Sequence, residues 1–409
     1  MLRREPPMSA SACFHEKLVV VSHVVHYKCA GRLYAYAPYA REIEIWADMF
    51  DEVLIAAPCH EEEPPGDCAL LNRDNFSIAP QREFGGETLA AKAKLLFAVP
   101  LMSWDLMRAM RQGDAVQVRC PGNLGLIGSV LAPLFSKHRV AKFAGQWNAI
   151  PGEPWSNRVQ RAVLRSRWWG SPVTVYGRWP GEPEHIVPFF NSVMTDEQIA
   201  RGRAARRGPD EFRRVLFVGR LSRAKNVDVL LKALGTLRSE GLAFTACIAG
   251  EGPELAALRE LSARLGLENA VEFTGGVSFE RVIELLERSG VLVLASETEG
   301  WPKAIVEAMA FGLVAIGSEV GLVPEILADG RGLMVAPRDV EALTGALRSV
   351  LTAPGNYARM RSQAAAWASH YSMEALRDSL RSLLAKSWGL ELQEGSTSHP
   401  VASAVCAHE

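Results

Sequence analysis

Short apolar runs alternate with stretches of helical spacing through the second half of the chain. Arg214–Val218 (RVLFV) is β-rich and ends at Gly219. The next stretch, 226–237, repeats apolar residues at Val227, Leu230, Leu231 and Leu234, the spacing of one helix face. The same reading predicts strands at 244–249, 270–273, 291–295, 313–316 and 332–335, with helices at 253–265, 279–288, 302–311 and 323–327 between them. So long an alternation indicates βαβ units around a buried parallel sheet. The first half repeats the theme less regularly. Strands are predicted at 18–21, 53–57, 76–79, 115–118, 140–143 and 173–176, with a helix at 39–49. The acidic, proline-bearing segment 59–68 (CHEEEPPGDC) reads as a solvated turn.

These patterns predict an α/β protein with two tandem Rossmann-like domains and a cleft between them. The expected boundaries are 1–190 for the first domain and 191–370 for the second. A helix at 371–388 is expected to return to the first domain, and 389–409 reads as a disordered tail. The charged, glycine-bearing stretch 201–212 reads as linker.

Composition narrows the function classes. The chain has 409 residues, of which 48% are hydrophobic, which excludes general disorder. Forty-five basic residues offset 46 acidic ones, so no bulk charge points to nucleic acid, and none is expected as a partner. Seven cysteines are scattered with no C-x-x-C pair, which suits a reducing cytosol better than a disulfide framework or a zinc site. The opening MLRREPPMSASACFHEK lacks the apolar stretch of a signal peptide. The apolar stretch 95–104 is too short to span a bilayer and is interrupted by Pro100. The expected setting is cytoplasmic.

In open α/β sheets ligands bind beyond the carboxyl ends of strands, so the loops after strands hold the candidate chemistry. Glu299-Gly300-Trp301-Pro302-Lys303 follows the strand VLVLAS, and Glu307 lies about 7.5 Å further along the next helix. Pro302 suits a first helical position. Gly300 permits close approach of a ligand to the backbone, and the helix start can hold a hydroxyl-rich or phosphorylated group. Two carboxylates so spaced suit hydroxyls at two points of one extended ligand. The alternative is a capping acid at Glu299 and a solvated helix acid at Glu307. A second loop, Gly219-Arg220-Leu221-Ser222-Arg223-Ala224-Lys225-Asn226, brackets a turn with Arg220 and Lys225, suited to a diphosphate or to ordinary solvent-facing charge. A third, Gly250-Glu251-Gly252-Pro253, pairs glycines where a nucleotide can approach, or where a simple tight turn needs them. Leu255 stands where a dinucleotide fingerprint needs its third glycine.

FVGRLSRAKNVDVLLKA, IAGEGPE and SETEGWPKAIVEAMAFG, in this order and spacing, resemble the C-terminal domain of family-4 retaining glycosyltransferases of the GT-B fold. The resemblance is specific over about residues 213–350 and weaker before them. It implies a nucleotide-sugar donor held by the second domain and a glycan, lipid-linked or small-molecule acceptor held by the first. No D-x-D motif appears and Arg220 with Lys225 can stand in for a cation, so metal-independent transfer with no cofactor is expected. By it, Glu307 holds the donor ribose, Glu299 lies near the sugar hydroxyls, and Arg220 with Lys225 binds the diphosphate. The donor-binding candidates are then Gly219, Gly250, Gly252, Gly300, Trp301, Pro302, Lys303 and Glu307. An epimerase or phosphorylase of the same architecture, or a catalytically silent nucleotide-sugar-binding module, are the competing readings.

The first half departs from the family's pattern. Where many members carry a glycine pair after the first strand, SHVVHYKCAGRLYAY has Gly31 alone, and it completes the candidate list. Where many carry a histidine after a mid-domain strand, VAKFAGQWNAI offers Gln146 and Trp147, while His23 and His26 follow the first strand. Finally, Arg158, Arg161 and Arg165 lie near one helical face flanked by Trp155, Trp168 and Trp169. Such a face suits an anionic membrane surface, giving a peripheral contact at the inner membrane face. The alternative is a packed surface helix whose tryptophans fill the core.

Overall fold

The computed structural model describes residues 14–83, 89–150, 152–205 and 207–389. It divides into two compact units, Met1–Ala144 with Asn148–Phe189 and Arg377–Glu409, and Gly145–Trp147 with Phe190–Leu376. The tail expected from 389 lies, beyond Gly389, outside the described residues.

In the first unit the strands are β1 (Phe14–Val21), β2 (His26–Cys29), β3 (Arg32–Tyr36), β4 (Phe50–Ala57), β5 (Cys59–His60), β6 (Cys68–Leu70), β7 (Phe76–Pro80), β8 (Ala115–Cys120), β9 (His138–Phe143), β10 (Val173–Tyr176) and β11 (Ile186–Phe189). Seven of them form a sheet in the order β11-β10-β9-β8-β1-β4-β7, parallel at every pairing. The central strands are apolar on both faces because helices cover both: Leu18, Val19, Val20 and Val21 are all fully buried. The helix Leu89–Met110 runs through Pro100 without ending there, so the proline does not break the apolar stretch as the sequence suggested. Among the described residues no helix is long and apolar enough to cross a membrane.

The other four strands form a separate small sheet, β5-β2-β3-β6, which the sequence reading placed in loops. β2 and β3 make an antiparallel hairpin whose two-residue turn is Ala30-Gly31, with φ of 50° and 76°. Both values are left-handed, as this kind of hairpin turn requires, and a glycine at the second position relieves the strain. The supposed solvated turn at 59–68 begins as β5 and ends as β6. Residues expected to be linker, 201–212, instead carry the last turn of a helix, Asp196–Ala204, and a short one, Pro209–Phe212. The C-terminal helix Met373–Trp388 ends with Trp388 stacked on His138 at 5.0 Å and beside Phe14 at 5.7 Å.

His26, a candidate for reaching a ligand, is instead a core residue of this unit. It is fully buried, its Nδ1 lies 2.9 Å from the Val24 carbonyl oxygen, and its ring meets Tyr39 edge-on at 5.3 Å. Burial pushes its pKa down to about 4; hydrogen bonding to Val24 and Pro58 opposes this, and the Arg119 charge reinforces it. Because the unfolded chain binds the proton more readily, this contribution to stability is complete above pH 6.5. It is lost progressively as the pH falls from there to about 4. Urea unfolding at pH 7 and pH 4.5 should therefore show a larger acid loss in wild type than in His26→Phe, by up to about 3 kcal/mol. An identical loss in both proteins would remove His26 from the acid response.

In the second unit the strands are β12 (Arg214–Val218), β13 (Thr245–Ala249), β14 (Val271–Gly275), β15 (Val291–Leu294), β16 (Val314–Ser318) and β17 (Leu333–Val335). They form one parallel sheet in the order β14-β13-β12-β15-β16-β17. The order reverses at β12, with β13 on one side and β15 on the other. That reversal is the switch point at which open α/β sheets take ligands.

Candidate functional site

The loops that follow β12, β13, β15 and β16 are tied together by backbone contacts. The Gly219 amide donates to the Ala249 carbonyl (3.0 Å), and the Leu221 amide to the Glu251 carbonyl (2.7 Å). On the other side, the Glu297 amide donates to the Ala224 carbonyl (2.8 Å) and the Asn226 side-chain amide to the Ala295 carbonyl (2.9 Å). Asn226 is buried and left-handed, with φ of 48°, a conformation asparagine tolerates better than most residues. It turns the chain from the Arg223–Lys225 helical turn into the helix Val227–Ser239. The sequence reading gave Asn226 no role, although an asparagine at a turn-to-helix junction was the available signal.

This stitching brings Lys225 to Glu299. The Lys225 ammonium donates to Glu299 Oε1 at 2.5 Å, and Glu299 is only 8% exposed. The plain capping acid is thus excluded in favour of a buried carboxylate paired with a cation from another loop. Arg220 is exposed and makes no ion pair among the described residues. Glu307, on the helix Lys303–Ala310, is 7% exposed, so it is not a solvated helix acid. Pro302 occupies the cap position, one residue before the helix that it was expected to begin. Trp301 is largely buried and joins an aromatic cluster, 6.2 Å from Phe190 and 5.3 Å from Tyr371. Lys303 is the first residue of the helix, and Gly300 lies half-buried in the loop ahead of it.

The glycines have a reason that the sequence hid. A Cβ on Gly250 would lie 1.9 Å from the Gly219 carbonyl oxygen, and one on Gly252 would lie 2.2 Å from the Leu221 carbonyl oxygen. At both positions the space is filled by the neighbouring loop. Gly219 itself has φ of 159° and would place a Cβ 3.4 Å from the Phe217 ring. Gly321, absent from the candidate list, is the tightest: its φ is 54° and a Cβ would lie 1.8 Å from the Glu299 carbonyl oxygen. Its signal was a glycine following a strand, in the turn Ser318-Glu319-Val320-Gly321. Two buried hydroxyls close by in the chain, Ser296 and Ser318, have no hydrogen-bond partner among the described residues.

The first unit gathers its charges differently. Glu42 lies buried between Arg119 and Lys142, with Lys142 Nζ 2.9 Å from Glu42 Oε1 and Arg119 engaging both carboxylate oxygens. Burial alone would raise the Glu42 pKa, but the two cations hold it well below the usual carboxylate range. His23 stays exposed, its pKa lowered by desolvation and then by the Arg119 charge. Gly31 sits at the hairpin tip described above. Gln146 and Trp147, which belong to the second unit, are half-buried and fully buried respectively.

The basic face of the helix Trp155–Arg165 is not free. Arg161 is buried against Glu153, Arg158 reaches the same carboxylate at 3.2 Å, and Arg165 is bound to Glu182. Trp169 is fully buried, leaving only Trp155 and Trp168 of the three tryptophans exposed. Each arginine thus has a carboxylate partner within the fold, as the packed-helix alternative expects.

Comparison with known proteins adds an independent line. The family model described as Glycosyl transferases group 1 matches residues 199–367. The chain is 35% identical over 187 residues to a glycogen synthase of Mycobacterium tuberculosis, covering 46% of this chain and 44% of that protein. It is 30% identical over 213 residues to a D-inositol 3-phosphate glycosyltransferase of Streptomyces scabiei, covering 48% of this chain and 47% of that one. The chain thus spans about half the length of the curated relatives it matches. Among solved structures, Anabaena Alr3699/HepE in complex with UDP and glucose superposes with a TM-score of 0.67 at 17% identity, over 91% of this chain and 100% of that one. Sucrose-phosphate synthase from Thermosynechococcus elongatus gives 0.67 at 18% identity, over 92% and 100%. At these identities the likeness concerns the fold, which is that of the two-domain GT-B glycosyltransferases.

Proposed function

We propose that this chain, whose residues 199–367 form a glycosyltransferase group 1 domain on a GT-B fold, moves a sugar from a nucleotide-diphosphate donor to an acceptor with retention of anomeric configuration. The observation that carries the reading is the convergence of Arg220, Lys225 and Glu299 on stitched loops at the switch point of the second unit's sheet. Arg220 and Lys225 take the diphosphate, Arg220 through its planar fork and Lys225 as a point charge. As the bond from the sugar's anomeric carbon to the diphosphate oxygen breaks, negative charge grows on that oxygen. The two cations stabilise it in place of a metal ion. The acceptor hydroxyl forms the new bond on the same face and passes its proton to the departing diphosphate. No protein nucleophile is needed, and the protein contributes position and charge. The acceptor belongs to the first unit. The five described cysteines are free thiols, which suits a cytoplasmic setting. A membrane contact through the three arginines is not part of the reading, because Glu153 and Glu182 occupy them.

A thermal-shift screen of UDP, GDP, ADP and their sugars tests the proposal, because a ligand that binds the folded state raises its stability. At least one nucleotide diphosphate should raise Tm, and its sugar should be hydrolysed slowly without acceptor. No shift with any of them would overturn the proposal. The two acids should separate: Glu307→Gln is expected to weaken donor binding, and Glu299→Gln mainly to lower turnover. Equal and negligible effects would make both structural.

A further inference from the structure

We infer that the outer face of the small sheet β5-β2-β3-β6 is a stacking platform for a neutral oligosaccharide, the acceptor chain of the proposed transfer. The inference rests on that reading for the word acceptor; the binding itself stands on the sheet. Cross-strand register aligns His60, Tyr27, Tyr34 and Leu70 in one row across all four strands. Side chains that pair across strands share a face, so the row is continuous and spans about 14 Å, three steps of about 4.8 Å. Tyr27 and His60 already stack, with centroids 6.0 Å apart and planes 29° from parallel. Two residues along β3, Tyr36 lies on the same face opposite Cys68 and is 49% exposed.

The two faces differ as a binding surface should. The opposite face carries His26 and Ala35, both fully buried, with His26 packed on Tyr39. The outer face keeps Tyr27, Tyr34 and Leu70 half-buried and His60 and Tyr36 exposed. A row of aromatic rings held open to solvent by a sheet of its own is costly unless something covers it. The sheet also sits where ligands bind in this class of fold. β2 follows the carboxyl end of β1 after four residues, β5 follows that of β4 after one, and β1 and β4 are neighbours in the parallel sheet.

Charge selects the occupant. Glu61, Glu62, Glu63, Asp67 and Glu83 are all exposed around the row, and Glu83 reaches His60 at 3.3 Å. Burial, and then the charges of Cys68, Glu62, Asp67 and Glu83, raise the Tyr27 pKa, as expected of acids ringed around its phenol. On the platform itself the cation is Arg32, paired with Cys29. Such a rim repels phosphates, anionic lipid and nucleic acid. It accepts hydrogen bonds from hydroxyls, while the flat C–H face of a pyranose packs on a tyrosine ring, which offers large contact area at low entropy cost. A neutral glycan satisfies both the rings and the rim.

The test is a printed array of neutral, sialylated and sulfated glycans probed with the full chain, followed by titration of the retained glycans. Neutral oligosaccharides should be retained. Tyr27→Ser and Tyr34→Ser should each weaken them at least about tenfold, whereas Tyr34→Phe keeps most of the affinity. His60→Ala and Tyr36→Ala, at exposed positions, give the same test if the serine variants fold poorly. Thermal shifts with UDP, GDP and ADP should be unchanged in every variant. Retention of no glycan, preference for acidic glycans, or equal retention by wild type and variants overturns the platform. Binding only to phosphatidylglycerol vesicles or to a protein surface does so too. If nucleotide binding is intact in such a case, the platform alone fails; if nucleotides also fail to bind, the transferase reading falls with it.

Discussion

Replacing Lys225 by alanine is expected to lower nucleotide-diphosphate affinity and turnover roughly ten- to several-hundred-fold, the range for a lost charge-assisted contact worth a few kcal/mol. The same change should also destabilise the protein without any ligand. Lys225 donates to Glu299 at 2.5 Å, and Glu299 is nearly buried, so the substitution leaves a carboxylate without its cation. Breaking a fully buried pair costs about 3–5 kcal/mol; Lys225 is 25% exposed, so a loss of about 1–3 kcal/mol is the reasonable expectation here. Arg220→Ala provides the contrast. Arg220 is exposed and unpaired among the described residues, so its loss should weaken the nucleotide with almost no change in unfolding free energy. In a cycle of Lys225→Ala and Glu299→Gln, the stability losses should be less than additive, since neutralising Glu299 removes the stranded charge. Chemical unfolding and nucleotide titration of the four proteins decide the matter. A Lys225→Ala protein with unchanged nucleotide affinity would take the diphosphate role away from this loop.

How this pair arises also shows where sequence reading stops. The second unit's six strands and the helices between them were legible to within a few residues, because parallel strands buried on both faces read as unbroken apolar runs between helical patterns; the helices Val340–Thr352 and Ala358–Ala368 were not read, and part of Asp196–Ala204 was taken for linker. Both Lys225 and Glu299 were placed in loops after strands. Their contact was not legible: 74 positions separate them, and only the strand order β12 beside β15 brings them together. In the first unit six of the large sheet's seven strands were legible for the same reason; the edge strand β11, four residues long, was not. The small sheet was missed because its strands are two to five residues long and mix tyrosine, histidine, lysine and cysteine, so no apolar run marks them. The arginines of the helix Trp155–Arg165 were legible as a face but not as partners. Glu153 and Glu182 reach them from outside the helix, and burial of Arg161 follows from packing that periodicity does not encode.

Gly250→Ala separates two meanings of a glycine that the sequence left open. Were the glycine needed only for approach of a nucleotide, the substitution would spare the ligand-free protein and damage binding alone. The structure predicts damage to both. Gly250 has φ of 150°, and a Cβ there would lie 1.9 Å from the Gly219 carbonyl oxygen, a backbone atom that no side-chain rotation can move aside. Gly219 is held in turn by its hydrogen bond to Ala249, so the clash must push the β12 and β13 loops apart. Overpacking costs about 1–3 kcal/mol, and a left-handed backbone adds about 1–2 kcal/mol for a residue with a Cβ. A total loss of about 2–5 kcal/mol is expected without ligand, together with a large loss of nucleotide affinity as Arg220 and Lys225 shift with their loop. Gly241→Ala is the control: its φ is 79°, but a Cβ there meets nothing within 4 Å. It should cost only the backbone term and leave nucleotide binding intact. Urea unfolding and nucleotide titration of the two variants test this directly. If Gly250→Ala is no less stable than Gly241→Ala, the close loop-to-loop contact is not what demands the glycine.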